Sequence, residues 1–193
     1  MNAPSDPGRF GETLESYYGL YAGIVVDNKD PEDRGRVRLQ FAWISSEFTS
    51  EWANVAQIYA GDGYGAYWIP EIEDQVVVAF MRGQLSQPIV LGSIYSQLAM
   101  PKLVRSNNSD PKYFRTKGGH MLLMEDGTGR KIELIDASRE NSVVIDSEAN
   151  SITVKSGGDV TVEATGSLVL KGKDVTIKAS GTVTVSGSTI NLN

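Results

Sequence analysis

The stretch from Ser151 to Asn193 constrains the fold more than any other. It contains six short aliphatic triplets: Ile152-Thr153-Val154, Val160-Thr161-Val162, Leu168-Val169-Leu170, Val175-Thr176-Ile177, Val183-Thr184-Val185 and Ile190-Asn191-Leu192. Their first residues lie 8, 8, 7, 8 and 7 positions apart. Between them stand only turn-forming residues such as Lys155-Ser156-Gly157-Gly158-Asp159 and Lys171-Gly172-Lys173-Asp174. Side chains alternate faces along a strand, so each triplet sends its flanking pair one way and its middle residue the other. All twelve flanking residues are Val, Leu or Ile, and four of the six middle residues are Thr. A fixed period of this kind signals stacked rungs.

The period also limits how the rungs can close. A β-solenoid coil encloses its core with about three faces, roughly eighteen residues per turn in hexapeptide repeats. Three octads per turn leave this chain about two turns, too few to hide twelve aliphatic side chains. If three chains each supply one face per level, every octad adds a full rung. Rungs spaced about 4.8 Å apart then give a shaft roughly 30 Å long. Each buried aliphatic contributes about 1.5–3 kcal/mol, but only if something covers it. No amphipathic helix follows to do so. The reading is an intertwined homotrimeric β-prism whose core is Ile152, Val154, Val160, Val162, Leu168, Leu170, Val175, Ile177, Val183, Val185, Ile190 and Leu192. A plain antiparallel sheet and a single-chain solenoid are the alternatives.

The 193 residues allow one or two domains. A net charge of −6 argues against a general binder of nucleic acid or anionic membranes. The absence of cysteine removes disulfides and zinc-thiolate sites from consideration. No apolar run approaches a spanning helix, and Met1 to Arg9 lacks a signal-peptide core. The expectation is a protein made soluble in the cytosol. Composition divides the chain: every aromatic residue lies at or before Phe114, and every proline at or before Pro111. The expected organisation is a lead-in over 1–19, a barrel over 20–96, a polar connector over 97–117 and a β-helical shaft over 118–193.

Residues 10 to 19 have weak helical spacing at Phe10, Leu14, Tyr17 and Tyr18, fitting a short helix or an extended lead-in. Strands are expected over Tyr21–Asp27, Gly35–Trp43, Trp52–Tyr59, Gln75–Met81 and Ile89–Tyr95. In the second, Val37, Leu39 and Phe41 alternate with Arg36, Arg38 and Gln40. In the third, Val55 and Ile58 are the apolar positions. Asn28–Asp33, Gly61–Gly65 and Pro70–Asp74 read as turns or loops. Short strands with tight turns suit a small closed barrel. Met121–Met124, Ile132–Ile135 and Val143–Ile145 read as longer rungs leading into the shaft, with a hairpin turn at Asp126–Gly129.

The chain offers no catalytic constellation and no metal site. His120 is the only histidine and has no cysteine beside it, which fits a surface or packing role. No nucleophile, base and acid share a usable spacing. Glu71, Glu73 and Asp74 read as a solvated turn. The loop at Gly61 runs toward Trp68 and Pro70 rather than into a helix N-terminus, so it is no phosphate cradle. Asn28–Asp33 lacks the glycine and glutamate of a calcium loop. Arg34, Arg36 and Arg38 near Trp43 could form a single-strand-binding face, but on an acidic chain they are expected to face solvent or a protein partner.

An ordered series of motifs carries a family likeness. It runs Tyr21-x-Gly23-x-Val25-x-Asp27-Asn28-x-Asp30-Pro31, Gly35-Arg36-Val37, Trp52-Ala53-x-Val55-Ala56-Gln57, Ala60-Gly61-x-Gly63-Tyr64-Gly65, Ile69-Pro70-Glu71 and Pro88-x-Val90-Leu91-Gly92-Ser93-x-Tyr95. The series resembles the oligonucleotide/oligosaccharide-binding (OB) fold domain of central spike proteins of contractile phage baseplates. The valine-glycine-repeat spikes of type VI secretion and the spikes of extracellular injection systems share that domain. The tail of the chain resembles their triple-stranded β-helix. The resemblance covers about residues 20 to 193.

It implies an all-β chain, an N-terminal OB barrel followed by an intertwined β-helix in a homotrimer, and no cofactor. Type VI spikes carry a large hub domain before the barrel; only about twenty residues stand there here, so the hub is expected to be a separate protein. The connector is too short for the lysozyme domain that some phage spikes insert, so no hydrolase activity is carried over. The chain ends Ile190-Asn191-Leu192-Asn193 without the His-x-His of some spike apices. By resemblance Ile190, Leu192 and Asn193 would seat a separate proline-alanine-alanine-arginine-repeat tip protein.

The expected function is mechanical: a spike docked on a hub, piercing a target envelope when a sheath contracts. It would be assembled in the bacterial cytoplasm into a phage tail or tail-like particle. Two rivals are a glycan-degrading tailspike and a single-stranded nucleic-acid-binding barrel with an oligomerising tail. The first needs aromatic sugar platforms, and the shaft has no aromatic residue.

Overall fold

The computed structural model describes residues 16–97 and 99–191. The chain divides into two compact units between Leu103 and Val104. Both are built of strands, and no α-helix occurs among the described residues.

The first unit contains β1 (Tyr21–Asp27), β2 (Arg38–Gln40), β3 (Asn54–Val55), β4 (Ala60–Gly61), β5 (Tyr64–Gly65), β6 (Gln75–Phe80) and β7 (Pro88–Ser93). Five of them form one sheet in the order β2-β1-β6-β7-β3, with β3 and β7 parallel and the other neighbours antiparallel. The two ends of that order meet. Val37 and Ala53 exchange backbone hydrogen bonds of 3.0 and 2.8 Å, and the Ser50 N–H donates to the Leu39 carbonyl at 2.8 Å. The sheet thus closes into a five-stranded barrel with no free edge on that side, the OB architecture.

Alternation fills the barrel. Val25 on β1, Val37, Leu39 and Phe41 around β2, Val76 and Val78 on β6, and Val90 on β7 are all 0% exposed. One end is plugged by rings: Phe41 lies 5.6 Å from Phe80 and 5.7 Å from Trp43, and Tyr17 and Tyr21 stack around the same group. Gly23 faces this plug. A Cβ there would stand 3.1 Å from the Phe41 ring and 3.3 Å from Val78. The missing side chain lets β1 cross close over the core.

The lead-in expected from Phe10 and Leu14 falls mostly outside the described residues; Tyr17 itself lies outside any helix or strand and donates its N–H to the Gly83 carbonyl at 2.9 Å. The third strand is shorter than the expected Trp52–Tyr59. Ala53 spends its backbone groups on Val37, and pairing with β7 ends when the Ala56 N–H reaches the Val90 carbonyl. The Gln57 side chain then takes over: its amide donates to the Trp68 carbonyl at 3.1 Å and accepts the Trp68 N–H at 3.2 Å. This clasp pinches off the β4–β5 ribbon, and Ile58, expected among the apolar strand positions, is 90% exposed.

The second unit is a meander of β8 (Pro111–Arg115), β9 (Met121–Glu125), β10 (Lys131–Ile135), β11 (Ser142–Asp146) and β12 (Ser151–Lys155), each antiparallel to the next without a register shift. The hairpin turn expected at Asp126–Gly129 joins β9 to β10. The segment expected as a connector holds β8. Arg105 and Lys112 hold the Asp110 carboxylate at the start of that strand, at 2.5 and 2.9 Å.

The octads begin in the last of these strands. The first, Ile152-Thr153-Val154, is in β12 and pairs with β11. From Ser156 to Asn191 no strand is formed within the single chain. A strand exists only where a neighbour takes its backbone groups, and among the described residues no segment of the same chain takes those of 156–191. The antiparallel sheet of 111–155 takes in only the first of the six octads.

Candidate functional site

The candidate site is the aliphatic stripe of the octads. Two side chains of each triplet were expected on one face, and the structure leaves all of those it describes in solvent. Exposure runs from 48% at Ile190 to 73% at Ile152, with Val154, Val160, Val162, Leu168, Leu170, Val175, Ile177, Val183 and Val185 between these limits. Leu192 and Asn193 lie outside the described residues. The barrel buries Val25, Val37, Leu39, Val76, Val78 and Val90 completely, so the exposure follows from the repeat and not from residue type. Such a run is apolar surface without cover, which marks an interaction site in a soluble protein.

The other sequence candidates resolve into local structure. The His120 imidazole accepts the Ala137 N–H at Nδ1, 3.2 Å away, and ties two turns together. No group of three or more acidic, histidine or cysteine side chains that could hold a metal occurs among the described residues. Glu71, Glu73 and Asp74 form an exposed turn closed by the Asp74 carboxylate on the Glu71 N–H at 2.9 Å. A cleft of about 530 Å³ in the barrel is lined by Phe48, Thr49, Glu51, Arg82, Gln84 and Leu85 among others. It contains one carboxylate and one guanidinium and no nucleophile-base pair.

Asp30 is the one strongly coupled acid in the barrel. Its carboxylate accepts the Arg36 Nε and Nη2 at 2.8 and 2.7 Å, and the backbone N–H groups of Glu32, Arg34 and Arg36 at 3.1 to 3.3 Å. The Arg36 guanidinium, more than the backbone donors, holds its carboxyl well below the usual carboxylate range. Here the expectation for the arginines is corrected. Arg36 does not face solvent or a partner; its side chain is 12% exposed and bound to Asp30 and Glu32. Arg38 donates Nε to the Ser50 carbonyl, and both guanidinium groups lie 5.9 Å from the Trp52 ring. Charges engaged in this way are poorly placed to track a phosphate backbone.

Sequence reasoning missed the Asp30–Arg36 pair, since six-residue separation across a turn has no periodic signature. It also missed the aromatic ribbon, where Tyr59 and Tyr64 stack at 5.3 Å and Tyr67 and Trp68 stand exposed. Its signal was the glycine set beside those rings: a Cβ at Gly61 would collide with the Tyr64 ring and one at Gly35 would stand 2.9 Å from the Tyr67 ring.

The closed barrel, its parallel β3–β7 pair and the uncovered repeat after it define the class. Residues 21–95 match the type VI secretion system/phage-baseplate injector OB domain, and the barrel belongs to that family. Beyond the barrel, the chain is similar to spike proteins of type VI secretion. It is 30% identical over 148 residues to the type VI secretion system spike protein VgrG1a of Pseudomonas aeruginosa, covering 68% of this chain and 23% of that protein. It is 29% identical over 127 residues to the spike protein VgrG3 of Vibrio cholerae, covering 61% of this chain and 12% of the relative. The actin cross-linking toxin VgrG1 of the same species is 28% identical over 141 residues, with 13% of its length covered. The chain thus spans less than a quarter of the length of these relatives. The match to the first takes in more of this chain than residues 1–95 could hold, so the similarity continues past the barrel.

Proposed function

We propose that the chain is the central spike of a contractile tail or injection-system baseplate. In this reading three copies wrap their octads into one shaft, with the aliphatic pairs inside and the threonines outside. The barrel mounts on a separate hub protein, and the end formed by Ile190, Leu192 and Asn193 seats a separate tip protein. Sheath contraction drives the shaft through a target envelope. The role is mechanical and calls for no catalytic group, consistent with relatives that are named as spikes.

One observation carries the reading: a barrel of the injector family is followed by a stripe whose described aliphatics are all exposed in the single chain. Burying them needs cover that repeats every eight residues, and another copy of the same stripe has that period by construction. Association of identical stripes also gives each octad the strand neighbours it lacks alone, so burial and backbone pairing are satisfied together. Light scattering coupled to size exclusion tests this. The expected mass is three times the 20.9 kDa of the chain; a monomer at every concentration would remove the shaft.

A further inference from the structure

The β4–β5 ribbon presents rings to solvent in place of aliphatic side chains. Its two strands pair Ala60 with Gly65 and Gly61 with Tyr64, around a turn at Asp62 and Gly63. Tyr64 folds across this hairpin onto its partner, so that its hydroxyl end fills the place a Cβ would take at Gly61. The hydroxyl end of Tyr67 lies over Gly35 in the same way. Each ring is thus held at both ends, by its own Cα and by the glycine under its hydroxyl, and lies along the surface. Tyr59 stacks beside Tyr64, and the Gln57 clasp fixes the backbone of Trp68. All four rings stay open nonetheless, Tyr64 at 60% and Tyr67 at 75% exposure.

We propose that this ribbon is a glycan-binding platform on the barrel, taking the pyranose rings of a β-linked sugar chain. The inference goes beyond the spike reading and does not rest on three copies, because the barrel closes within one chain. Three observations choose the ligand. The first is shape and chemistry. A pyranose with equatorial substituents turns a flat patch of axial C–H bonds to each side, and the electron-rich face of an aromatic ring is the matching surface. The phenol hydroxyls and the Asp62 carboxylate supply donors and acceptors for sugar hydroxyls at its margin. The second is charge. Stacked bases would need a cationic track for their phosphates, and between Gln57 and Ile69 the only charged side chain is Asp62. The arginines flanking Gly35 are engaged, Arg34 with Glu32 and Arg36 with Asp30. The third is size. At about 200 Å² for a ring, the four open rings offer roughly 500 Å², short of the roughly 800 Å² per partner of a stable protein interface. That area suits a few sugar rings. With Asp62 as its single carboxylate the platform holds a glycan without cleaving it, since glycoside hydrolysis takes a pair.

The full chain is titrated with cellotetraose and with the β-1,4-linked tetramer of N-acetylglucosamine, followed by saturation-transfer NMR and tryptophan fluorescence. An octamer of thymidylate serves as the comparison. At least one of the two sugars should bind with a dissociation constant of about 0.1–10 mM, and the two arms show whether the acetamido group is needed. Tyr67→Ala should weaken binding by at least about threefold, and Tyr67→Phe should restore it. Ile58→Ser, which removes an aliphatic side chain 90% exposed beside the rings, should leave it unchanged. These variants alter surface side chains, and the Tyr67→Phe rescue separates a lost ring from a damaged fold. Three results overturn the inference: neither sugar binding at about 10 mM, binding that survives Tyr64→Ala combined with Tyr67→Ala, or thymidylate binding more tightly than both sugars. Each would leave the reading of the octad shaft standing.

Discussion

Leu170→Asp separates assembly from folding. Leu170 is 71% exposed in the single chain, so within one copy the change is a surface substitution, worth about 0.5 kcal/mol or less. In a trimer each copy loses the burial of one leucine, about 1.5–3 kcal/mol, and the loss is taken three times at one level of the shaft. That is roughly 5–9 kcal/mol per trimer before any charge is counted. At about 1.4 kcal/mol per factor of ten, the trimerisation constant falls by some three to six orders of magnitude. Three carboxylates meeting on the axis can only add to this. Sedimentation equilibrium measures the association. Tryptophan fluorescence reports on the barrel alone, since Trp43, Trp52 and Trp68 all lie in the first unit. The expected result is a monomer with an unchanged tryptophan signal, while Thr161→Asp stays trimeric because Thr161 is the middle residue of its triplet. If both variants dissociate alike, or neither does, the division into inner and outer faces is wrong.

Two further outcomes concern the folded units. Gly23→Val places branched carbon where a Cβ alone would already stand 3.1 Å from Phe41; overpacking there should cost about 1–3 kcal/mol and lower the melting temperature read by tryptophan fluorescence, whereas Gly92→Ala, with no heavy atom nearby, should spare the core. In the second unit Arg105 and then Lys112 pull the Asp110 carboxyl down to about 2, and the Ser138 hydroxyl, with Asn141, does the same for Asp136. Depressed carboxyls add stability above their ordinary value of 3.8 that is lost as pH falls through about 2. Circular-dichroism melts should therefore be insensitive to these groups from pH 7 to 5 and fall between about pH 4 and 2; a flat profile across that window would refute both couplings.

The barrel was legible wherever alternation controls burial. Val37, Leu39 and Phe41 could be assigned to one face from spacing alone, because only that register keeps Arg36, Arg38 and Gln40 out of the core. Strand ends were less legible. The third strand stops where the Gln57 side chain captures Trp68, and a side-chain clasp leaves no mark on hydrophobic periodicity. Arg36 was misplaced for a related reason: alternation directs it outward, but the turn at Asp33 and Gly35, both at positive φ, brings Asp30 back over it. In the second unit the period of eight identified which residues share a face. It also placed Met121–Met124, Ile132–Ile135 and Val143–Ile145 as rungs, but β8 fell in the segment read as a connector, because its prolines and polar flank masked the strand.

Set side by side, the two units show why one sequence contains both. The inward valines and leucines of the barrel, such as Val25, Val37, Leu39, Val76, Val78 and Val90, are completely buried, while the described ones of the octads are exposed, although both segments place them by the same alternation. The difference is closure. Five strands meet around Val37 and Ala53, so the barrel hides its own apolar face and keeps its fold at any dilution. A row of octads cannot close, and its stabilising energy is released only on contact with a matching period. In the proposed trimer, folding of the shaft would be inseparable from association and would depend on concentration, while folding of the barrel would not. No rung would exist unless every chain contributed to it, so the proposed shaft would be either complete and laddered along its length or not formed at all.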